Sequence, residues 1–228
     1  MTGFDVKHAR EQAGWTQQRL AKRLRVSQGY VSMLEREKRI VPSTLEKRLL
    51  AVLRFSPLSF PLKGEGQWND LDDETLAHQL AGLGYPGFAH LRREPKWNPA
   101  ELLVAGLTRN YMDRRVAEGF PWLVMRYSNM DWDWVLQQSK LHDVQNRLGF
   151  VLTLGREVAE QRQYLEAADA LRKVEQRVRG SQLSRIDTYC NEGLTQAEKR
   201  WLQDHSSAEA RRWNLLSDLK PEHLSHAY

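Results

Sequence analysis

Apolar residues recur every three or four positions through most of this chain, and no stretch alternates convincingly with a period of two. That pattern predicts an all-α protein. In the first quarter the helices are short. One spans residues 5–13 and stops at Gly14, a residue suited to a left-handed cap. Thr16 caps a second through Leu24, with Leu20, Ala21 and Leu24 on one face. Ser27 caps a third over residues 28–36, with Val31 and Leu34 turned inward. A turn at residues 40–43 leads to a helix over 44–53, capped by Ser43, whose Leu45, Leu49, Leu50 and Leu53 close the core.

Residues 55–69 break the pattern with Pro57, Pro61, Gly64 and Gly66 and read as a linker. The expected division is therefore a domain of short helices at 1–54, the linker, and a larger all-helical domain at 70–228, the candidate for dimerisation or partner binding. In the larger part, Asp72, Asp73 and Glu74 open a helix carrying Leu76, Leu80 and Leu83. Residues 82–87 read as a loop and 88–92 as a short helical turn. Pro99 opens a helix expected to reach Val116, and residues 121–127 form another. Asn129 or Asp131 caps one long helical region whose apolar stripe runs from Leu141 through Leu148, Gly155 and Leu165 to Val178. The stretches 195–198 and 206–209 both read as capping boxes, opening helices anchored by Trp201 and Trp213.

Charge sharpens this picture. The net charge is +5, but residues 1–54 carry 12 Lys and Arg against 5 Asp and Glu, and residues 55–228 carry 22 against 24. The excess positive charge thus lies wholly in the N-terminal part, the footprint of a nucleic-acid-binding module. Cys190 is the single cysteine, which excludes an intrachain disulfide and a multi-cysteine zinc site. The longest apolar stretch, residues 148–154, falls far short of the ~20 needed to cross a bilayer. A cytoplasmic, nucleoid-associated protein is expected, with no membrane partner.

The Arg10 position, the Thr16-Gln17 and Leu20-Ala21 pairs, the Val26-Ser27 turn, the Tyr30–Glu35 segment and Pro42 fall in order and at matching spacing. Over residues 4–54 the chain resembles the Cro/repressor-type (XRE-like) helix-turn-helix family, which implies a five-helix-type DNA-binding domain. The resemblance implies that Gln28, Gly29, Ser32 and Met33 face the bases. It implies that Gln17, Lys22, Arg23, Ser27, Tyr30, Lys38 and Arg39 contact the DNA backbone. Gln28 can pair with N6 and N7 of adenine. Arg10 and Glu35 read as a structural ion pair, Trp15 as core, and Arg19 and Arg25 as solvated charge. Two departures stand out: Gly29 offers no side chain where relatives read a base, and Glu37 replaces the family's usual glycine. Such modules bind inverted-repeat double-stranded DNA as homodimers, and residues 1–54 show no obvious dimer surface.

Catalytic chemistry finds no motif. Asp131-Trp132-Asp133-Trp134 reads as a helix cap with core tryptophans, and His142 and Asp143 point about 100° apart on a helix. The seven histidines show no metal-ligand spacing, so no catalytic residues, metal or cofactor are expected. Seven of eight tryptophans lie beyond residue 54 and are expected mostly in the core, some in a partner surface. Segments 84–89, 146–150 and 213–219 are similar to bacterial regulators paired with nucleotidyltransferase-type (AbiEii-like) toxins. That similarity implies an antitoxin that represses its own operon and holds a protein toxin through the helical domain. The alternative is a ligand-responsive regulator whose helical domain binds a small molecule.

Overall fold

Thr2 begins the first helix two residues before the apolar pattern does. Its side chain accepts from the Asp5 amide while the Asp5 carboxylate accepts from the Thr2 amide, a capping box that opens α1, Gly3–Gln12. The computed structural model describes residues 2–53, 56–62, 68, 71–91, 97–189, 191 and 193–224. Contacts divide the chain into two units, Met1–Pro61 and Leu62–Tyr228.

In the first unit α1 is followed by α2 (Gln17–Leu24), α3 (Gln28–Glu35) and α4 (Ser43–Leu53), then a single 3₁₀ turn at Pro57–Ser59. Gly14 is left-handed (φ 65°), and Thr16 and Ser27 accept from the amides of Arg19 and Tyr30. Val6, Leu20, Leu24, Val31, Leu34, Leu45 and Leu49 fill the core. Phe60 is buried in the same core, so residues 57–60, which read as linker, pack with the N-terminal unit. The Gly64–Gly66 part of that linker lies outside the described residues, as do residue 92 and Cys190.

The second unit is built around α10 (Gln145–Gln161), buried along nearly its whole length between α8 (Gly119–Arg126) and α11 (Leu165–Arg179). Glycines permit this. A Cβ on Gly155 would lie 2.6 Å from Val124, and one on Gly149 would lie 2.4 Å from the Trp213 ring. Buried Arg147 fixes the far side. It donates to both Asp187 oxygens at 2.9 and 3.0 Å and to the carbonyls of Leu107 and Arg109. Around this centre lie α5 (Asp73–Leu83), α6 (Pro99–Leu107), α7 (Arg114–Ala117), α9 (Trp132–Leu141), α12 (Gln196–His205) and α13 (Ala208–Arg212).

The all-α expectation holds, with one addition: β1 (Asp187–Thr188) and β2 (Leu215–Leu216) pair in parallel over two residues each. Other details differ from the sequence reading. The helix opened by Pro99 ends at Leu107, and Val116 sits on the separate α7, because Asp113 caps a new start by accepting from Arg115. The long region is three helices, broken where Asp143 (φ 56°) and Gln163 (φ 61°) turn left-handed. The cap of α13 is Ser207, which accepts from Ala210; Ser206 instead ends α12 and donates to Leu202. Trp201 anchors nothing: it is 51% exposed and stacks on His205, whereas Trp213 is fully buried. The expected turn at 88–92 is a 3₁₀ turn at Pro86–Phe88.

Candidate nucleic-acid interface

The orientation of α3 is set at its N-terminus. Arg25 adopts a left-handed conformation (φ 54°, ψ 48°) that ends α2, and the Val26 amide donates back to the Ala21 carbonyl. A left-handed turn at a non-glycine residue costs of order 1 kcal/mol. Arg48 of α4 offsets part of that cost by donating to the Leu24 carbonyl, a cation at a helix C-terminus. Ser27 then caps α3. At its other end Gly3 closes the approach of α1, since a Cβ there would meet the Leu34 carbonyl oxygen at 1.9 Å.

Beneath α3 lies an ion pair. Arg10 Nε donates to Glu35 Oε1 at 2.6 Å and Nη2 to Oε2 at 3.0 Å, while Nη1 donates to the Trp15 carbonyl at 2.7 Å. The two side chains are 10% and 2% exposed. The Glu35 hydrogen bonds push the Arg10 guanidinium above its usual pKa. Such a pair in low dielectric specifies a geometry more surely than it adds stability.

The pair also reaches the surface. Glu35 Oε2 accepts from Gln17 Nε2 at 2.9 Å, and Gln17 Oε1 accepts from Gln28 Nε2 at 2.7 Å. One hydrogen-bonded line therefore runs from buried Arg10 to exposed Gln28 and ties α1, α2 and α3 together. Helical spacing places Gln28 with Ser32, and Gly29 with Met33, on adjoining rows away from inward Val31 and Leu34. Gln28 and Gly29 are exposed, and Ser32 and Met33 are half-buried. A Cβ on Gly29 would meet nothing within 4 Å, so internal packing does not require a glycine there.

The backbone-contact candidates fall around this face. Lys22, Arg23, Ser27, Lys38 and Arg39 are exposed, and Gln17 and Tyr30 are half-buried. Tyr30 packs on the core with the Arg39 guanidinium 5.7 Å from its ring. Arg19 and Arg23 sit 4.8 and 5.9 Å from the Trp15 ring, which holds both cations at the start of the α2 face. Sequence reasoning missed three roles: Arg19 as a stacked cation, Arg48 as a helix-end partner and Gln17 as a bridge. Trp15 four residues before Arg19 was a readable signal for the first. Nothing in the spacing of residues 17, 28, 35 and 48 announces the others.

Glu37 takes the left-handed conformation (φ 56°) at the turn after α3. That is a conformation in which glycine is unstrained, and it explains why a glycine is usual in this turn. Among the described residues, no group of three or more His, Cys, Asp and Glu side chains could hold a metal ion. No helix among them is long and apolar enough to cross a membrane.

Residues 6–60 match the family model described as Helix-turn-helix. No curated protein and no solved structure matches the chain. The resemblance to toxin-paired regulators gains no support from these comparisons, and its segments do interior packing: Tyr85, Phe88, residues 146–150, Trp213, Leu215 and Leu219 are all buried. About a quarter of the chain, residues 6–60, thus carries a helix-turn-helix of the XRE type.

Proposed function

We propose that this protein is a sequence-specific DNA-binding transcriptional regulator that reads the major groove with α3. The observation that carries the reading is the line from Arg10 through Glu35 and Gln17 to Gln28. It fixes an exposed amide on a helix whose flanks are basic. Gln28 reads a base directly, Ser32 and Met33 contact neighbouring base edges, and Gly29 admits close approach of the helix backbone. Gln17, Ser27, Tyr30, Lys22, Arg23, Lys38 and Arg39 contact phosphates, which set affinity and its salt dependence. One such helix covers few base pairs, so the reading includes two copies on an inverted repeat, with the second unit joining them.

In vitro selection of random duplexes by the full chain tests this. The expected product is an inverted repeat with half-site centres about 10 base pairs, or a multiple of that, apart. Recovery of duplexes without any shared sequence would refute sequence-specific reading.

A further inference from the structure

α12 lies against β2 of its own unit, with half-buried Leu202 toward Leu216 and Leu219 and a polar side facing a cleft. Gln196, Lys199, Arg200 and Gln203, at helical spacings of three and four, line one wall of a cleft of about 540 Å³. None of the helix's residues is buried. The opposite wall is the β1–β2 pair with Ile186 and Leu216. Beside Leu202 the helix presents two amides and two cations across an open space.

The cations are not neutralised there. Among the described residues, neither Lys199 nor Arg200 forms an ion pair or a side-chain hydrogen bond. The carboxylate lining the cleft, Asp187, has both oxygens engaged by Arg147. Two cations without a carboxylate partner and two amides therefore share one wall of the cleft. Half-exposed Leu216 and Ile186, 64% exposed, supply an apolar side.

We infer that this cleft binds a small organic anion with a phosphate or carboxylate head and an apolar body. Lys199 and Arg200 hold the head, Gln196 and Gln203 flank it, and Ile186 and Leu216 cover the body. The volume lies within the range of metabolite sites. The inference rests on the second unit alone and is independent of DNA reading.

The test is calorimetric titration of the full chain with phenyl phosphate and with phenylacetate, against benzyl alcohol as the neutral counterpart. The expected result is saturable one-to-one binding of one or both anions and none of the alcohol. The Lys199→Gln/Arg200→Gln double variant weakens binding by about tenfold or more, the loss of a charge-assisted contact. Because Arg200 is exposed and Lys199 half-buried, their substitution leaves the fold intact, which circular dichroism checks. No saturable binding of either anion, equal binding of the alcohol, or anion binding unchanged in the double variant would each overturn the inference. A double variant that loses duplex affinity while wild type binds neither anion would assign these cations to DNA phosphate instead.

Discussion

Gln28 Nε2 donates to Gln17 Oε1 at 2.7 Å, and this bond has a direction that Glu35 imposes. A carboxylate only accepts, so Gln17 must turn its amide nitrogen toward Glu35 and its oxygen toward Gln28. Gln28 is left with its carbonyl oxygen and one N–H, the pair that N6 and N7 of adenine require. Gln17→Ala should therefore act at a distance. It is expected to lower affinity for all duplexes modestly and also to reduce preference for adenine at the Gln28 position. Competition binding with single-base operator variants measures both. An unchanged base preference would show that Gln28 needs no bridge.

Removing one partner of the buried ion pair leaves the other charge stranded. Glu35→Ala is expected to cost about 3–5 kcal/mol, read as a drop in the urea midpoint of the N-terminal transition. Arg10→Ala should cost a similar amount. A cost below about 1 kcal/mol for both would mean that the pair is open to water, contrary to its burial.

Glu37 bears the cost of its left-handed backbone. Glu37→Gly relieves roughly 1 kcal/mol of strain against the greater flexibility glycine gives the unfolded chain. A net gain of about 0.5 kcal/mol is expected in urea unfolding, with DNA affinity unchanged. Destabilisation would show that the Glu37 side chain contributes a contact worth more than the strain.

Trp213 and Trp201 occupy opposite environments. Trp213 is fully buried, its Nε1 donates to Thr153 Oγ1 at 2.8 Å, and Thr153 donates in turn to Glu175. Trp213→Ala should cost about 3–5 kcal/mol. Trp201, exposed and stacked on His205, should tolerate alanine within about 0.5 kcal/mol. Gly149→Ala should also destabilise, by about 1–3 kcal/mol, because the pinned Trp213 ring has no room to yield. Thermal melts of the three variants rank them directly.

These contrasts also explain what the sequence could and could not say. The N-terminal helices are legible because their ends are chemical: Thr16 and Ser27 accept the amides they are expected to accept, and Gly14 turns where glycine should. The boundaries in the second unit are carried by residues with no such signature. Asp143 and Gln163 end helices in left-handed conformations that their side chains do not advertise, so three helices read as one stripe. Ser206 and Ser207 are adjacent, and only the fold decides which of them caps. Trp201 and Trp213 are equal in sequence and opposite in burial, because Trp201 lies on the outer side of α12 while Trp213 inserts against Gly149. For the candidate site, residue types at 28, 32 and 33 follow from helical spacing, whereas the bridge through Gln17 depends on where α2 lies against α3.

Base reading by α3 is proposed to run through Gln28. The direct measurement is binding of wild type, Gln28→Ala and Lys38→Ala to the selected operator and to a scrambled duplex, across a salt series. Gln28→Ala is expected to lose about 1–3 kcal/mol of operator discrimination while keeping the scrambled-duplex affinity. Lys38→Ala should weaken both duplexes and lower the salt slope by about one unit. If Gln28→Ala discriminates the operator as well as wild type does, α3 does not read bases through Gln28.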